Sequence, residues 1–319
     1  MSGPTLEVRV KSVTFEAERI NSYDLRPIAG VALPLFKAGA HLDVHLPHGA
    51  TRSYSLINPE GETHRYVIGV ALDAASAGGS RYIHESVRPG DRLTISPPAN
   101  NFALAEDAEL SILIAGGIGV TPIFCMVQRL TALNRAWQLH YCARTREIAA
   151  FLEPLAALRG ERREVTFNFD FEPGGKMLDL NAIVAAAPAF AHLYCCGPTG
   201  MLEAFESAAE GRPAERVHVE YFSAKEAPAR AGGYTVVLAK SNRTVFIEEG
   251  KTILETLLDS GMDLDHSCME GVCGTCETRI LEGVPDHRDM VLNDAEKASN
   301  KTMMICCSGA KTPTLVLDL

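Results

Sequence analysis

The sequence predicts a multidomain chain: an antiparallel β-barrel, then a doubly wound parallel α/β sheet, then a small α+β domain of the β-grasp type. Three observations carry that prediction. Residues 5–104 alternate apolar and polar positions between Gly and Pro turns, the period-2 habit of short antiparallel strands. From Glu109 the texture changes to apolar runs separated by helical stretches, as in a βαβ series. Beyond an Ala, Pro and Gly-rich segment at 223–233 come two alternating runs, an amphipathic helix and a cysteine loop. The divisions drawn are 1–106, 107–224, a linker at 225–233, and 234–319.

Size and balance narrow the function. A chain of 319 residues, 46% hydrophobic, has core enough for two or three domains. Its formal net charge of −10 argues against a nucleic-acid partner. From Tyr234 to the end, 8 Lys and Arg stand against 14 Asp and Glu, a net of −6 that leaves −4 for the longer remainder. An acidic face near the cysteines suits a basic partner, or is simply solvated. No leader or long apolar segment is read, so neither secretion nor a membrane is expected. Nine cysteines, an odd number, then fit reduced thiols in the cytoplasm.

In the barrel segment, LEVRVKSVTFEAERI, HLDVHL and HRYVIGVAL read as strands, with a short helix near 83–87. Within it, Arg52, Ser53, Tyr54 and Ser55 form an Arg-x-Tyr-Ser pattern. Arginine is a fork-shaped donor suited to phosphate, and tyrosine offers a flat ring and a hydroxyl. Gly78, Gly79 and Ser80 open the short helix, where free N–H groups can cradle a phosphate. Each motif alone is also what an exposed strand or an ordinary turn would show. Together they describe a flavin site: a phosphate clamp and a ring to pack on the isoalloxazine.

In the middle segment, residues 110–115 read as a buried parallel strand leading into Gly116, Gly117 and Gly119. Thr121 is placed to cap the next helix and Pro122 to open it, giving a helix N-terminus for a pyrophosphate. Further strands are expected at 137–142, 165–169, 193–196 and 217–221. Cys196, Gly197 and Pro198 end one of them at the carboxyl edge, where ligands bind in such sheets. Glu220 and Phe222 close the segment at the same edge. Arg144 and Arg146 follow the second strand and could meet a 2′-phosphate or be solvated.

The last segment holds the most specific signal. Cys268, Cys273 and Cys276 are spaced Cys-x4-Cys-x2-Cys, and Cys306 follows after 29 intervening residues. That is the plant-type ferredoxin pattern for a [2Fe-2S] cluster, which needs four thiolates. A zinc site would show two close pairs instead.

In its motif order the chain resembles the phthalate dioxygenase reductase family, which includes the vanillate O-demethylase reductases. The resemblance covers essentially the whole length. It rests on Arg-x-Tyr-Ser-Leu at 52–56, Gly-Gly-Ser at 78–80, Gly-Gly-Ile-Gly-Val-Thr-Pro at 116–122 and Cys-Cys-Gly-Pro at 195–198. It continues with His-x-Glu-x-Phe at 218–222, the cysteine loop, Asp-His-Arg-Asp-Met-Val-Leu at 286–292 and the ending Leu-Val-Leu-Asp-Leu.

The resemblance implies an FMN barrel, an NAD domain and a ferredoxin domain on one chain. Arg52, Tyr54, Ser55, Gly79 and Ser80 would hold FMN, and Gly117, Thr121 and the Cys196 loop would hold NADH. Phe222 is similar to the aromatic that covers the flavin until nicotinamide displaces it. The family pattern Met-Met-x-Cys points to Cys306 rather than Cys307 as fourth ligand. Ala77, Ala99 and Gly309 stand where the family often has arginine.

The chemistry expected is electron splitting. Nicotinamide gives two electrons as one hydride, a two-iron cluster takes one at a time, and a flavin mediates between them. The implied partner is the oxygenase component of a Rieske-type aromatic oxygenase or O-demethylase. A cytochrome P450 or a separate ferredoxin is the alternative acceptor, and a non-catalytic redox sensor the remote one. Cys196 and Glu220 are expected to shape the nicotinamide pocket rather than to transfer protons.

Overall fold

The computed structural model describes residues 5–28, 30–47, 49–73 and 78–319. Ala77 lies outside the described residues. Two compact units divide the chain, Thr5–Tyr221 and Phe222 onward.

In the first unit the alternating runs become β1 (Leu6–Ala17), β2 (Ile20–Pro27), β3 (His41–His45), β4 (Thr51–Ser55), β5 (Tyr66–Ala71) and β6 (Arg92–Ile95), with helix α1 (Gly79–Ser86) before β6. The run read as one strand from Leu6 is two, because Arg19 turns the chain with φ 66°. The strand order is β4-β3-β6-β1-β2-β5, and every pairing is antiparallel. A bridge between Leu56 and Ile68, with the Ile57 N–H on the Val67 carbonyl at 2.9 Å, joins the two ends. The sheet thus closes on itself and leaves no long free edge. Val8, Leu25, Leu42, Val44, Val70 and Ile95 fill the barrel and are fully buried.

The second layer of this unit consists of β7 (Leu110–Gly116), α2 (Val120–Ala132), β8 (Ala136–Ala143), α3 (Leu152–Ala157), β9 (Arg163–Phe169), α4 (Leu180–Ala186), β10 (His192–Cys196), α5 (Thr199–Ala208) and β11 (Val217–Glu220). The sheet order is β11-β10-β7-β8-β9, all parallel. Its order reverses between β7 and β10, the place outside the carboxyl ends where ligands bind in such sheets. Ile112, Leu113, Ile114 and Ala115 are at most 2% exposed, as a strand covered on both faces requires. Helix α2 ties sheet to barrel: the Gln128 amide donates to the Ile57 carbonyl at 2.8 Å and the Cys125 thiol to the Asn58 carbonyl at 3.3 Å.

The second unit holds β12 (Tyr234–Leu238), β13 (Arg243–Ile247), α6 (Ile253–Asp259), β14 (Glu277–Glu282), β15 (Pro285–Asp286), α7 (Asp294–Ser299), β16 (Thr302–Met304), β17 (Gly309–Ala310) and β18 (Thr314–Leu317). Its main sheet runs β13-β12-β18-β14-β16, with β12 and β18 parallel at the centre. That is the β-grasp arrangement. Asn242, at φ 49°, turns the β12–β13 hairpin. Thr252 and Glu255 form a capping box that starts α6. The helix buries Ile253, Leu254 and Leu257 against Val236, Leu238, Leu315 and Leu317, each worth about 1.5–3 kcal/mol on leaving water. Helix α7 and the short strands around it carried no strong pattern in the sequence.

Candidate functional site

Strand alternation separates the β4 side chains into two faces. Arg52 and Tyr54 share one; Ser53 is on the other, where its hydroxyl donates to Asp43 at 2.6 Å. The Ser53 hydroxyl is therefore engaged within the barrel. The Arg52 side chain lies across the start of α1: a Cβ on Gly79 would come within 2.6 Å of its Cγ. Gly78, at φ 102°, bends the chain into α1, and the Ser80 hydroxyl accepts the Asp73 N–H at 3.2 Å. Tyr54 is half-buried, and burial pushes its hydroxyl pKa up. The buried Ser55 hydroxyl has no hydrogen-bond partner among the described residues, a group left for a ligand or a water. Strand and helix thus bring the two sequence motifs together. Ala99, by contrast, is bonded through its backbone to His41, at 2.9 Å in both directions.

At the carboxyl edge of the parallel sheet, Cys196 and Glu220 face each other in register. The Cys196 Sγ lies 3.9 Å from a Glu220 carboxylate oxygen. Burial, the largest cause, raises the Glu220 carboxyl to about 8, against a small opposing effect of the Cys196 hydrogen bond. Burial, reinforced by Glu220, raises the Cys196 thiol as well. Burial thus favours the protonated, uncharged form of both groups at this edge.

The glycine turn after β7 has a purpose the sequence reading placed elsewhere. A Cβ on Gly119 would lie 2.3 Å from the Cys196 carbonyl oxygen, and one on Gly116 2.8 Å from Pro198 Cδ. These two glycines let the turn touch the Cys196–Gly197–Pro198 loop. Only Gly117, at φ 54°, faces open space. Thr121 does not cap α2, because the glycines already turn helically at 117–119 and Gly119 is the residue before the helix. Thr121 and Pro122 are buried, and the Thr121 hydroxyl donates to the Ile118 carbonyl at 2.9 Å. Arg144 and Arg146 sit over the Phe171 and Phe169 rings at 5.9 and 4.4 Å. The Arg146 N–H donates to Glu172 at 2.8 Å. A ring stack at β10–β11 escaped the sequence reading altogether: Tyr194 on His218 at 4.3 Å, and His192 on His218 at 5.3 Å.

In the second unit the cysteine loop wraps one place. The Cys268 thiol is in hydrogen-bonding contact with Cys273 and Cys306, and Cys306 with Cys276. Those contacts favour the thiolate at Cys268 and the thiol at Cys306. The N–H groups of Glu270 and Val272 both donate to the Cys268 sulfur at 3.4 Å, the support that ligating sulfurs receive in iron–sulfur sites. Cys273, Cys276 and Cys306 are buried and Cys268 is half-exposed. Four thiols of this chemistry and placement fit a [2Fe-2S] cluster. Cys307 also contacts Cys306; its sulfur would be 2.3 Å from a Cβ on Gly271, and its thiol turns toward the Met304 carbonyl at 3.7 Å. Gly309, where the family often has arginine, is backed by Ala229, whose methyl would lie 2.8 Å from a Cβ there. Phe222 opens this unit and is 42% exposed.

An antiparallel barrel, a parallel α/β sheet and a β-grasp domain with a four-cysteine loop are the architecture of an iron–sulfur flavoprotein reductase. Residues 236–311 match the model of the 2Fe-2S iron-sulfur cluster binding domain. The chain is 53% identical over 320 residues to a tetrachlorobenzoquinone reductase from Sphingobium chlorophenolicum, covering 99% of this chain and 98% of the relative. It is 52% identical to the phenoxybenzoate dioxygenase subunit beta of Ectopseudomonas oleovorans, covering 98% and 97%. The crystal structure of phthalate dioxygenase reductase superposes with a TM-score of 0.73 at 36% identity, over 99% of this chain and 98% of that one. An intact type IV self-sufficient cytochrome P450 monooxygenase matches with a TM-score of 0.89 at 35% identity. There the chain spans only 41% of the larger protein's length. The chain belongs to the phthalate dioxygenase reductase family of oxidoreductases. The cofactors of that family are FMN, NADH and a [2Fe-2S] cluster.

Proposed function

We propose that this chain takes electrons from NADH and passes them singly, through FMN and the cluster, to the oxygenase component of a Rieske-type aromatic oxygenase or O-demethylase. The observation that carries the reading is the presence, on one chain, of the four-thiol loop and the Cys196–Glu220 edge. When bound, the flavin and cluster supply the conversion of a two-electron donor into one-electron steps. The protein binds and orients them. Arg52 neutralises the FMN phosphate at the start of α1, with Gly78, Gly79 and Ser80 around it. Tyr54 and Ser55 present a ring and a hydroxyl on the same strand. Gly117 leaves room for the nucleotide, while Gly116, Gly119, Gly197 and Pro198 hold the turn and the Cys196 loop together. Neutral Cys196 and Glu220 exclude charge and water from the nicotinamide slot. Cys268, Cys273, Cys276 and Cys306 ligate the cluster.

NADH is favoured over NADPH because Arg144 and Arg146 are drawn over aromatic rings and Glu172 sits on the Arg146 N–H. No helix among the described residues is long and apolar enough to cross a membrane; the reading places the protein in the cytoplasm. The match to a self-sufficient P450 favours a second acceptor, a haem monooxygenase. Reconstitution decides between them. Coupled NADH oxidation with a Rieske oxygenase, and not with a P450 or a separate ferredoxin, is the expected result. Turnover confined to the P450 would overturn the proposed partner.

A further inference from the structure

Strand β5 carries a glycine, Gly69, where the barrel meets the first turn of α2. A Cβ built at Gly69 would stand 2.7 Å from Thr121 Cγ2 and 3.6 Å from the Phe151 ring. The Phe151 distance is ordinary contact, but Thr121 would have to move. Thr121 is 1% exposed and bonded to the Ile118 carbonyl. Behind it the same turn already rests on Cys196, at the Gly119 position where no Cβ fits. Phe151 is 4% exposed and stacked on Phe124, with ring centres 5.1 Å apart. Its backbone is left-handed, at φ 62°, a conformation that costs a residue with a large side chain on the order of 1–3 kcal/mol. On the barrel side, Ile68 bridges Leu56, the residue after Ser55 of β4. A continuous packed column therefore runs from β4 through Gly69, Thr121 and Gly119 to Cys196.

We infer that Gly69 is a positioning residue for hydride transfer: by lacking a side chain, it sets how closely the Cys196–Glu220 edge approaches the Arg52–Tyr54 strand. This inference rests on the flavin and nicotinamide sites proposed above. A side chain at this position would act through the Thr121 methyl.

The test is Gly69→Ala in the full chain loaded with flavin and cluster. Ordinary carbon contact begins at 3.4 Å, so a Cβ 2.7 Å from Thr121 must push the turn by roughly 0.7 Å. Misplacements of about 1 Å cost up to roughly a hundredfold in rate. Stopped-flow reduction by NADH should therefore slow by about tenfold to a hundredfold. FMN content should be unchanged, and the charge-transfer absorbance of the flavin–nicotinamide complex should fall. Adding Thr121→Ser removes the clashing methyl and keeps the hydroxyl, so G69A/T121S should recover both rate and absorbance. Wild-type rates in Gly69→Ala, or a defect that Thr121→Ser does not relieve, would overturn the inference. Should Gly69→Ala not fold, the double variant decides: folding with fast reduction supports the column, and failure to fold overturns it. If NADH does not reduce the flavin of the wild-type protein, the reading of the two sites fails instead.

Discussion

Glu220→Gln puts the electrostatics of the nicotinamide edge to a quantitative test. Burial raises the Glu220 carboxyl from 4.5 to about 8. Below pH 4.5 the carboxyl is protonated folded or unfolded and adds no pH dependence. Between 4.5 and 8 only the folded chain keeps the proton, so wild-type stability falls as pH rises, and it levels off above 8. At 1.36 kcal/mol per unit, the full effect is about 5 kcal/mol, within a range of roughly 3–6. Glutamine has the same shape and no proton to lose, so the variant lacks this slope. Denaturant unfolding of both proteins from pH 5 to 9 reads it, since the contributions of all other groups cancel in the difference. Glu220→Gln should gain on wild type by roughly 4 kcal/mol between pH 5 and 8. A difference that stays constant within about 1 kcal/mol would refute a buried neutral carboxyl.

Four further substitutions probe the clamp, the slot and the cluster. Arg52→Ala should weaken FMN retention about tenfold to a hundredfold, the worth of one charge-assisted hydrogen bond, read by flavin content after dialysis; full retention would remove Arg52 from the clamp. Cys196→Ala should slow flavin reduction by NADH about tenfold or more without loss of FMN, and a wild-type rate in stopped flow would remove Cys196 from the slot. Cys306→Ala should lose the cluster while Cys307→Ala keeps it, because the Cys306 sulfur meets Cys268 and Cys276 and the Cys307 sulfur packs on Gly271. Iron and sulfide analysis reports the outcome, and the reverse pattern would move the fourth ligand to Cys307.

Local spacing made the order of the folds and the presence of a 2Fe-2S domain legible, because a cysteine loop and a strand–glycine–helix junction are written in adjacent residues. What escaped is what tertiary contact decides. The close approach of Gly116 and Gly119 to a loop 77 to 82 residues further on, at Cys196 and Pro198, is not written in their spacing. Thr121 has the right residue type for a cap, yet the glycine turn before it is already helical. The Ser53 hydroxyl is taken by Asp43, a partner ten residues earlier on a different strand. The stack of Tyr194, His218 and His192 likewise depends on two strands lying side by side. Gly69 did leave a trace: a glycine inside the apolar run YVIGVA is a sign of close backbone approach.

One chain is expected to carry electrons from nicotinamide through flavin to the cluster. An anaerobic NADH titration of the purified protein, followed by absorption and EPR, reads that transfer end to end. Bleaching of the flavin together with a rhombic reduced-cluster signal is the expected result. Bleaching without that signal would contradict the claim and mean that the loop from Cys268 to Cys276 does not receive the electrons.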